Sequence, residues 1–286
     1  MNNNKIIFVT GGTGNQGGAV ARSLATRGFA VKVLTRNPGS AKALNLKNLD
    51  IQVVKGDLND TASYREYLKD AYGIFSVQAL DKNPEREIKQ GCQLATIGKE
   101  SGVKHFLYSS ALGAELNTGV PHIDSKFKIE NHVQQTGVPF TIIRPSSLYE
   151  NFLIPQVKKG ILKGKLVQPI NRKTILQYVA AEDIGKAAAK IFENGETYIG
   201  RILPLATEQL STSEVAQIFS EALNKNIEYK KLPALIARIF LGKSIYKMFE
   251  WANETNRFVI ENIYVTKEEF PGLLSLKKWI ETNFKS

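Results

Sequence analysis

The sequence predicts an α/β protein, a doubly wound parallel sheet followed by a smaller C-terminal α/β lobe. Three observations carry this. Short apolar runs alternate with segments of helical spacing over the first 145 residues. The runs are nearly continuous in apolar residues, as strands covered on both faces must be. A glycine cluster directly follows the first run. The expected domains are 1–150, with 174–194 returning to it, and 151–286.

The first run is Lys5–Thr10, and Ala30–Thr35, Ile51–Lys55, Tyr72–Val77, His105–Ser109 and Phe140–Arg144 follow. Helical spacing is read over Ala19–Arg27, Pro84–Ser101 and Asp124–Thr136. After Pro145 the rhythm breaks. Gln177–Phe192 reads as a strand end leading into an alanine-rich helix. Ser211–Leu223 carries a capping box, Ser211 with Glu214 three residues on. Pro233–Trp251 reads as one long amphipathic helix packing on the lobe, with a partner surface or lid as the other reading. Ser275–Asn283 is the last helix.

Composition narrows the function classes. There are 286 residues, 43% apolar and 23% charged, which is ordinary for a globular chain. No apolar run approaches the ~18 residues of a spanning helix, so no membrane is expected as a partner. The N-terminus lacks the features of a secretory or transit leader. The single cysteine, Cys92, excludes an intrachain disulfide and fits a cytoplasmic location; it reads as a small core residue. The net charge of +11 is spread, with no basic block of five or six residues. Such a spread favours anionic small ligands over nucleic acid as the main partner. The three histidines show no metal-ligand spacing.

Residues 11–17 are Gly11, Gly12, Thr13, Gly14, Asn15, Gln16 and Gly17. Gly12, Gly14 and Gly17 give G-x-G-x-x-G, and Gly11, Gly14 and Gly17 give G-x-x-G-x-x-G. A strand, this turn and a helix form the context that lets backbone N–H groups approach a dinucleotide pyrophosphate. The second strand ends in Thr35, Arg36 and Asn37, where an NAD-binding chain would carry a carboxylate. A guanidinium there can make a forked, charge-assisted contact with a 2′-phosphate, so NADP(H) is the expected cofactor. After the third strand Asp57 is read two ways, as an acceptor for the adenine amino group or as a turn aspartate.

Together these residues resemble the NmrA-like family, an atypical branch of the short-chain dehydrogenase/reductase superfamily with a Rossmann-type fold. The likeness rests on Gly11–Gly18, Thr35–Pro38, Gly56-Asp57, Lys89–Gly91, Tyr108-Ser109, His122–Lys126, Gly137–Thr141, Arg144 and Tyr149–Phe152. It runs through nearly the whole chain and is weaker after residue 195. It looks closest to the NADP(H)-binding redox-sensor subgroup. The resemblance implies that Gly11–Gly17, Arg36, Asn37, Asp57 and Leu58 hold the adenosine half of the cofactor. It implies that Val77 and Gln78 pass beside it, that Lys89 stands near it and that Lys126 bonds the nicotinamide ribose. Leu148 to Asn151, with Tyr149 and Asn151, would border the nicotinamide pocket.

The superfamily's usual Tyr-x-x-x-Lys relay is altered here. Lys126 is present, but His122 stands four residues before it. The two share a helix face, and the lysine charge disfavours the imidazolium that a proton donor needs. Ser109 or Ser110 can supply a hydroxyl at the end of the fifth strand. Two roles are expected to compete. One is a sensor of the NADPH/NADP⁺ ratio acting through a change in shape or in partner binding. The other is an NADPH-dependent reductase of a quinone- or enone-like acceptor, with His122 and Lys126 as catalytic candidates. A nucleic-acid-associated regulator ranks third, and either a monomer or a homodimer fits.

Overall fold

A computed structural model describes residues 5–81, 83–255 and 263–284. The chain forms two compact units. The first comprises 1–115, 122–144 and 181–203, and the second 116–121, 145–180 and 204–286.

The first unit is built on β1 (Ile6–Val9), β2 (Ala30–Thr35), β3 (Gln52–Lys55), β4 (Gly73–Ser76), β5 (His105–Ser109) and β6 (Phe140–Pro145). Every pairing among these six is parallel. They are the six strands that the apolar runs predict. Later in the chain come β7 (Ser147–Leu148), β8 (Lys165–Gln168), β9 (Ile175–Val179), β10 (Ile202–Leu205), β11 (Glu208–Ser211) and β12 (Glu228–Lys231). β10 joins the edge of the main sheet beside β6, giving the order β10-β6-β5-β4-β1-β2-β3. The order reverses between β1 and β4. In doubly wound sheets ligands bind outside the carboxyl ends of the strands at such a switch point.

Six helices matter for the first unit's site: α1 (Asn15–Thr26), α2 (Ala41–Lys47), α3 (Ala62–Arg65), α4 (Pro84–Glu100), α5 (Pro121–Gln135) and, after α6 (Pro155–Leu162) of the second unit, α7 (Ala181–Glu193). α7 lies tightly on α1. A Cβ at Gly185 would stand 2.7 Å from the Ala19 carbonyl oxygen, so only glycine allows this approach. The close packing draws the segment from Ala181 back onto the first unit. One core cluster joins strand and helix residues, among them Phe8, Ile74, Phe106, Tyr64, Leu94, Ile129 and Ile142.

α1 and α5 start earlier than their apolar spacing predicts, at Asn15 and Pro121. Glycines and polar residues fill their first turns, so the hydrophobic period does not register there. Cys92 is half-buried and packs against the core cluster.

The second unit holds β11-β9-β7 and β12-β8 as small sheets. After the short α8 (Gly195–Tyr198) of the first unit come α9 (Thr212–Ala222), α10 (Ala234–Leu241), α11 (Lys243–Thr255), α12 (Ile263–Glu269) and α13 (Leu276–Asn283). Ser211 accepts the Glu214 N–H at 3.2 Å and Glu214 accepts the Ser211 N–H at 2.7 Å, the expected capping box. An aromatic core of Tyr149, Phe152, Tyr178, Phe219, Trp279 and Phe284 fills this unit. The single helix expected over Pro233–Trp251 is instead two. Gly242 adopts φ +78° and ends α10, so apolar periodicity runs across a backbone break. Among the described residues no helix is long and apolar enough to cross a membrane.

Candidate functional site

The carboxyl ends of β1 and β4 are tied together at the switch point. The Thr10 hydroxyl accepts the Val77 N–H at 2.9 Å and stands 2.9 Å from the Val77 carbonyl oxygen. The glycine turn begins here. Gly11 sits at φ +62°, a region that disfavours side chains, and a Cβ on it would meet Val77 at 2.8 Å. Gly17 lies under the turn, where a Cβ would be 2.4 Å from the Thr10 carbonyl oxygen. Gly12 is buried against Val33, Thr13 is half-buried, and Gly14 and Asn15 are exposed.

Gly14 caps α1 in an extended conformation with no side-chain hydrogen bond, and the first turn of α1 holds no acid. The first N–H groups of a helix need external acceptors. Here neither a capping hydroxyl nor a carboxylate meets them, and they open on the exposed turn. That is the donor set of an anion site. Gln16 fixes the turn from the side, its Oε1 accepting the Ser109 hydroxyl of β5 at 2.7 Å.

Arg36 is exposed at the end of β2, with no hydrogen bond or ion pair among the described residues. Asn37 shapes the loop below it, its Oδ1 accepting the Gly39 N–H at 3.1 Å. Asp57 takes the turn role: its Oδ1 accepts both the backbone N–H and the side-chain amide of Asn59 at 2.9 Å. Leu58 packs partly buried on the core.

Gln78 is buried just beyond β4. Its amide nitrogen donates to the Ser76 hydroxyl at 3.0 Å, while its Oε1 has no partner. The Ser110 hydroxyl is also buried and without a partner. A buried polar atom left without a hydrogen bond is costly, and both atoms lie beside the carboxyl ends of β4 and β5. Of the two serines read as hydroxyl sources, Ser109 is engaged with Gln16 and Ser110 is not.

α4 and α5 meet across Gly91, where a Cβ would stand 2.8 Å from Ile129. This approach puts Glu87 of α4 against the first turns of α5. Its carboxylate is fully buried and accepts Lys126 Nζ at 2.7 Å and the Ser125 hydroxyl at 3.3 Å. Lys126 is therefore held in place from beneath and is not a solvated surface lysine. Sequence reasoning missed Glu87, because an acid in a first helical turn looks like a favourable partner of the helix dipole. His122 is buried, with its pKa lowered to about 4, chiefly by burial and then by the Lys126 charge. Lys89 is exposed on α4.

Tyr149 and Asn151 belong to the second unit. Tyr149 is fully buried, stacked on Tyr178, with its hydroxyl donating to Glu208 at 2.7 Å. Asn151 is exposed, 3.4 Å from the Ser147 hydroxyl. Among the described residues no group of His, Cys, Asp and Glu could hold a metal ion.

Fold and site together define a doubly wound α/β protein with an anion-ready glycine turn at its switch point. The chain belongs to the NmrA-like family, whose model matches residues 3–277. An NmrA-like family domain-containing protein of Dictyostelium discoideum is 30% identical over 280 residues, covering 91% of this chain and 90% of its own. Two solved structures share the fold. The Citrobacter sp. triphenylmethane reductase complexed with NADP(H) superposes with a TM-score of 0.82 at 19% identity, over 97% of this chain and 99% of that one. NmrA, a negative transcriptional regulator in complex with NADP, gives 0.79 at 22%, over 99% and 96%.

Proposed function

We propose that this chain binds NADP(H) and reports the NADPH/NADP⁺ ratio to a protein partner. One observation carries the reading: a tight glycine turn leading into α1 stands in the same unit as a buried His122, its pKa lowered to about 4, where the superfamily keeps its tyrosine. The relatives crystallised with NADP(H) support the cofactor. Gly11 to Gly17 and the start of α1 would hold the pyrophosphate, and Arg36 the 2′-phosphate. Asp57 keeps one carboxylate oxygen, Oδ2, for the adenine side, beside Asn37 and Leu58. Val77, Gln78, Lys89 and Lys126 would line the remainder. When bound, NADPH supplies a hydride. An imidazole with a pKa of about 4 is neutral at neutral pH and has no imidazolium proton to give. A cytoplasmic setting, where the one thiol stays reduced, suits this role.

Calorimetric titration with NADPH, NADP⁺, NADH and NAD⁺ tests the cofactor assignment. Arg36→Ala is expected to weaken the phosphorylated pair alone by about ten- to a hundredfold, the worth of one charged hydrogen bond. Equal losses for all four nucleotides would remove Arg36 from its role. The sensor requires NADPH and NADP⁺ to differ in their effect on proteolysis pattern or partner affinity. Identical effects would defeat it.

The second reading is an NADPH-dependent reductase of an easily reduced acceptor such as a quinone or enone. The partnerless Ser110 hydroxyl and the pinned Lys126 favour it. An acceptor that takes its proton from water needs no tyrosine. This reading expects acceptor-dependent loss of NADPH absorbance, sharply reduced in Lys126→Ala. A flat response across a broad acceptor panel would leave the sensor alone.

A further inference from the structure

The cofactor site does not use α10, and α10 is oriented contrary to a packing helix. Of its eight residues only Ala237 is buried. Leu235 and Ile239 are each 73% exposed and Phe240 is 80% exposed, with Ile236 and Leu241 also open. At 100° per residue Leu235, Ile236, Ile239 and Phe240 form one continuous stripe. A surface helix normally turns such a stripe to its core; this one presents it to solvent. Exposed apolar patches of this kind mark interaction sites.

The surroundings are cationic. From Glu228 to Glu254 the chain carries five cations, Lys230, Lys231, Arg238, Lys243 and Lys247, against three acids, Glu228, Glu250 and Glu254. Arg238 lies over the Tyr246 ring at 5.5 Å, at the edge of the stripe. β12 leads directly into α10 and pairs with β8 so that Lys230 stands beside the exposed Val167, and Lys165 lies on the same ribbon face. The one carboxylate on that face, Glu228, reaches Lys230 at 3.3 Å.

We propose that α10 is an in-plane docking helix for an anionic lipid bilayer. Leu235, Ile236, Ile239 and Phe240 enter the boundary between headgroups and acyl chains. Lys165, Lys230 and Arg238 supply the cationic rim. A helix of eight residues spans about 12 Å, too short to cross a bilayer and long enough to lie in its surface. The expectation of no membrane partner came from the missing spanning segment, which this mode does not need. Charge complementarity selects an anionic bilayer: the rim of the stripe is basic, and the whole chain carries +11. The proposal is independent of the cofactor reading.

Co-sedimentation of the full chain with vesicles tests it. One set is phosphatidylcholine alone and the other an equal mixture of phosphatidylcholine and phosphatidylglycerol. Binding to the anionic set is expected to be at least about tenfold stronger and to weaken with added salt. The double variant Ile239→Glu/Phe240→Glu is expected to lose it by at least about tenfold. Both positions face solvent, so its circular dichroism and melting temperature should match the parent. Lys230→Gln/Arg238→Gln is expected to keep residual binding but lose the preference for the anionic set. Equal binding to both sets, binding to neither, or undiminished binding of the glutamate pair would overturn the proposal. So would a parent dimer that the glutamate pair converts to monomer without vesicle binding, since a second copy would then cover the stripe.

Discussion

Lys126 owes its position to a carboxylate that no motif announces. Glu87 is fully buried and the lysine side chain is 15% exposed, so the pair is shielded from the screening that makes surface ion pairs weak. The lysine keeps two further donors after meeting Glu87. Those two are what a ribose hydroxyl would meet. Glu87→Gln preserves shape and one acceptor but removes the charge that fixes the ammonium. If Lys126 contacts the cofactor, the dissociation constant for NADPH rises on the order of tenfold, as expected for weakening one charged hydrogen bond. Lys126→Met removes the contact outright and sets the ceiling for that loss. A Glu87→Gln protein that melts earlier yet binds NADPH as the parent does would reduce Glu87 to a structural role. Isothermal titration beside a thermal melt separates the two.

Elements explain why such residues meet. α5 is fastened to β6 by Arg144, whose Nε and Nη2 donate to the fully buried Glu130 at 3.0 and 2.7 Å, while Nη1 reaches Glu115 at 2.9 Å. Arg144→Met would strand the Glu130 carboxylate in the interior, at a cost of about 3–5 kcal/mol in urea unfolding. Adding Glu130→Leu should recover most of it; a double variant no better than the single would place the cost elsewhere. At the cradle, Gly17→Ala forces a methyl toward a carbonyl 2.4 Å away, so nucleotide binding should fail even if the sheet survives. The parts readable in the sequence are those governed by local rules. Six parallel strands follow from unbroken apolar runs, α9 from its capping box, and the cradle from glycines after a strand. The parts hidden are non-local. Glu87 becomes a partner of Lys126 only because Gly91 lets α4 approach α5. β8 and β12 are short, lysine-bearing strands that pair across about sixty residues, and no hydrophobic period marks them. The break between α10 and α11 lies in one positive φ angle at Gly242 inside a continuous apolar pattern.

At the scale of the molecule, two buried histidines make the first unit sensitive to acid. His105 opens β5 with its ring packed on Phe192 at 5.2 Å. The Thr141 hydroxyl gives its proton to the Tyr198 carbonyl at 2.7 Å, so it accepts at His105 Nε2, also 2.7 Å away. Nδ1 is then the bare nitrogen, buried without a partner. Burial, and next the charge of Lys5, lower the His105 pKa to about 4. His122 is lowered to about 4 as well. The unfolded chain takes up both protons near pH 6.5, whereas the folded chain refuses them until about pH 4. Protons therefore favour the unfolded state across that window. Stability is fully present above the unfolded value and is lost as pH falls from about 6.5 toward 4. Each histidine accounts for a loss on the order of 3 kcal/mol. His105→Gln can still donate to Thr141 and cannot titrate. It should be less stable at neutral pH, because glutamine fills the ring's cavity poorly, yet show a shallower fall in urea midpoint between about pH 6.5 and 4.5. A variant whose stability falls as steeply with acid as the parent's would assign the sensitivity to other groups.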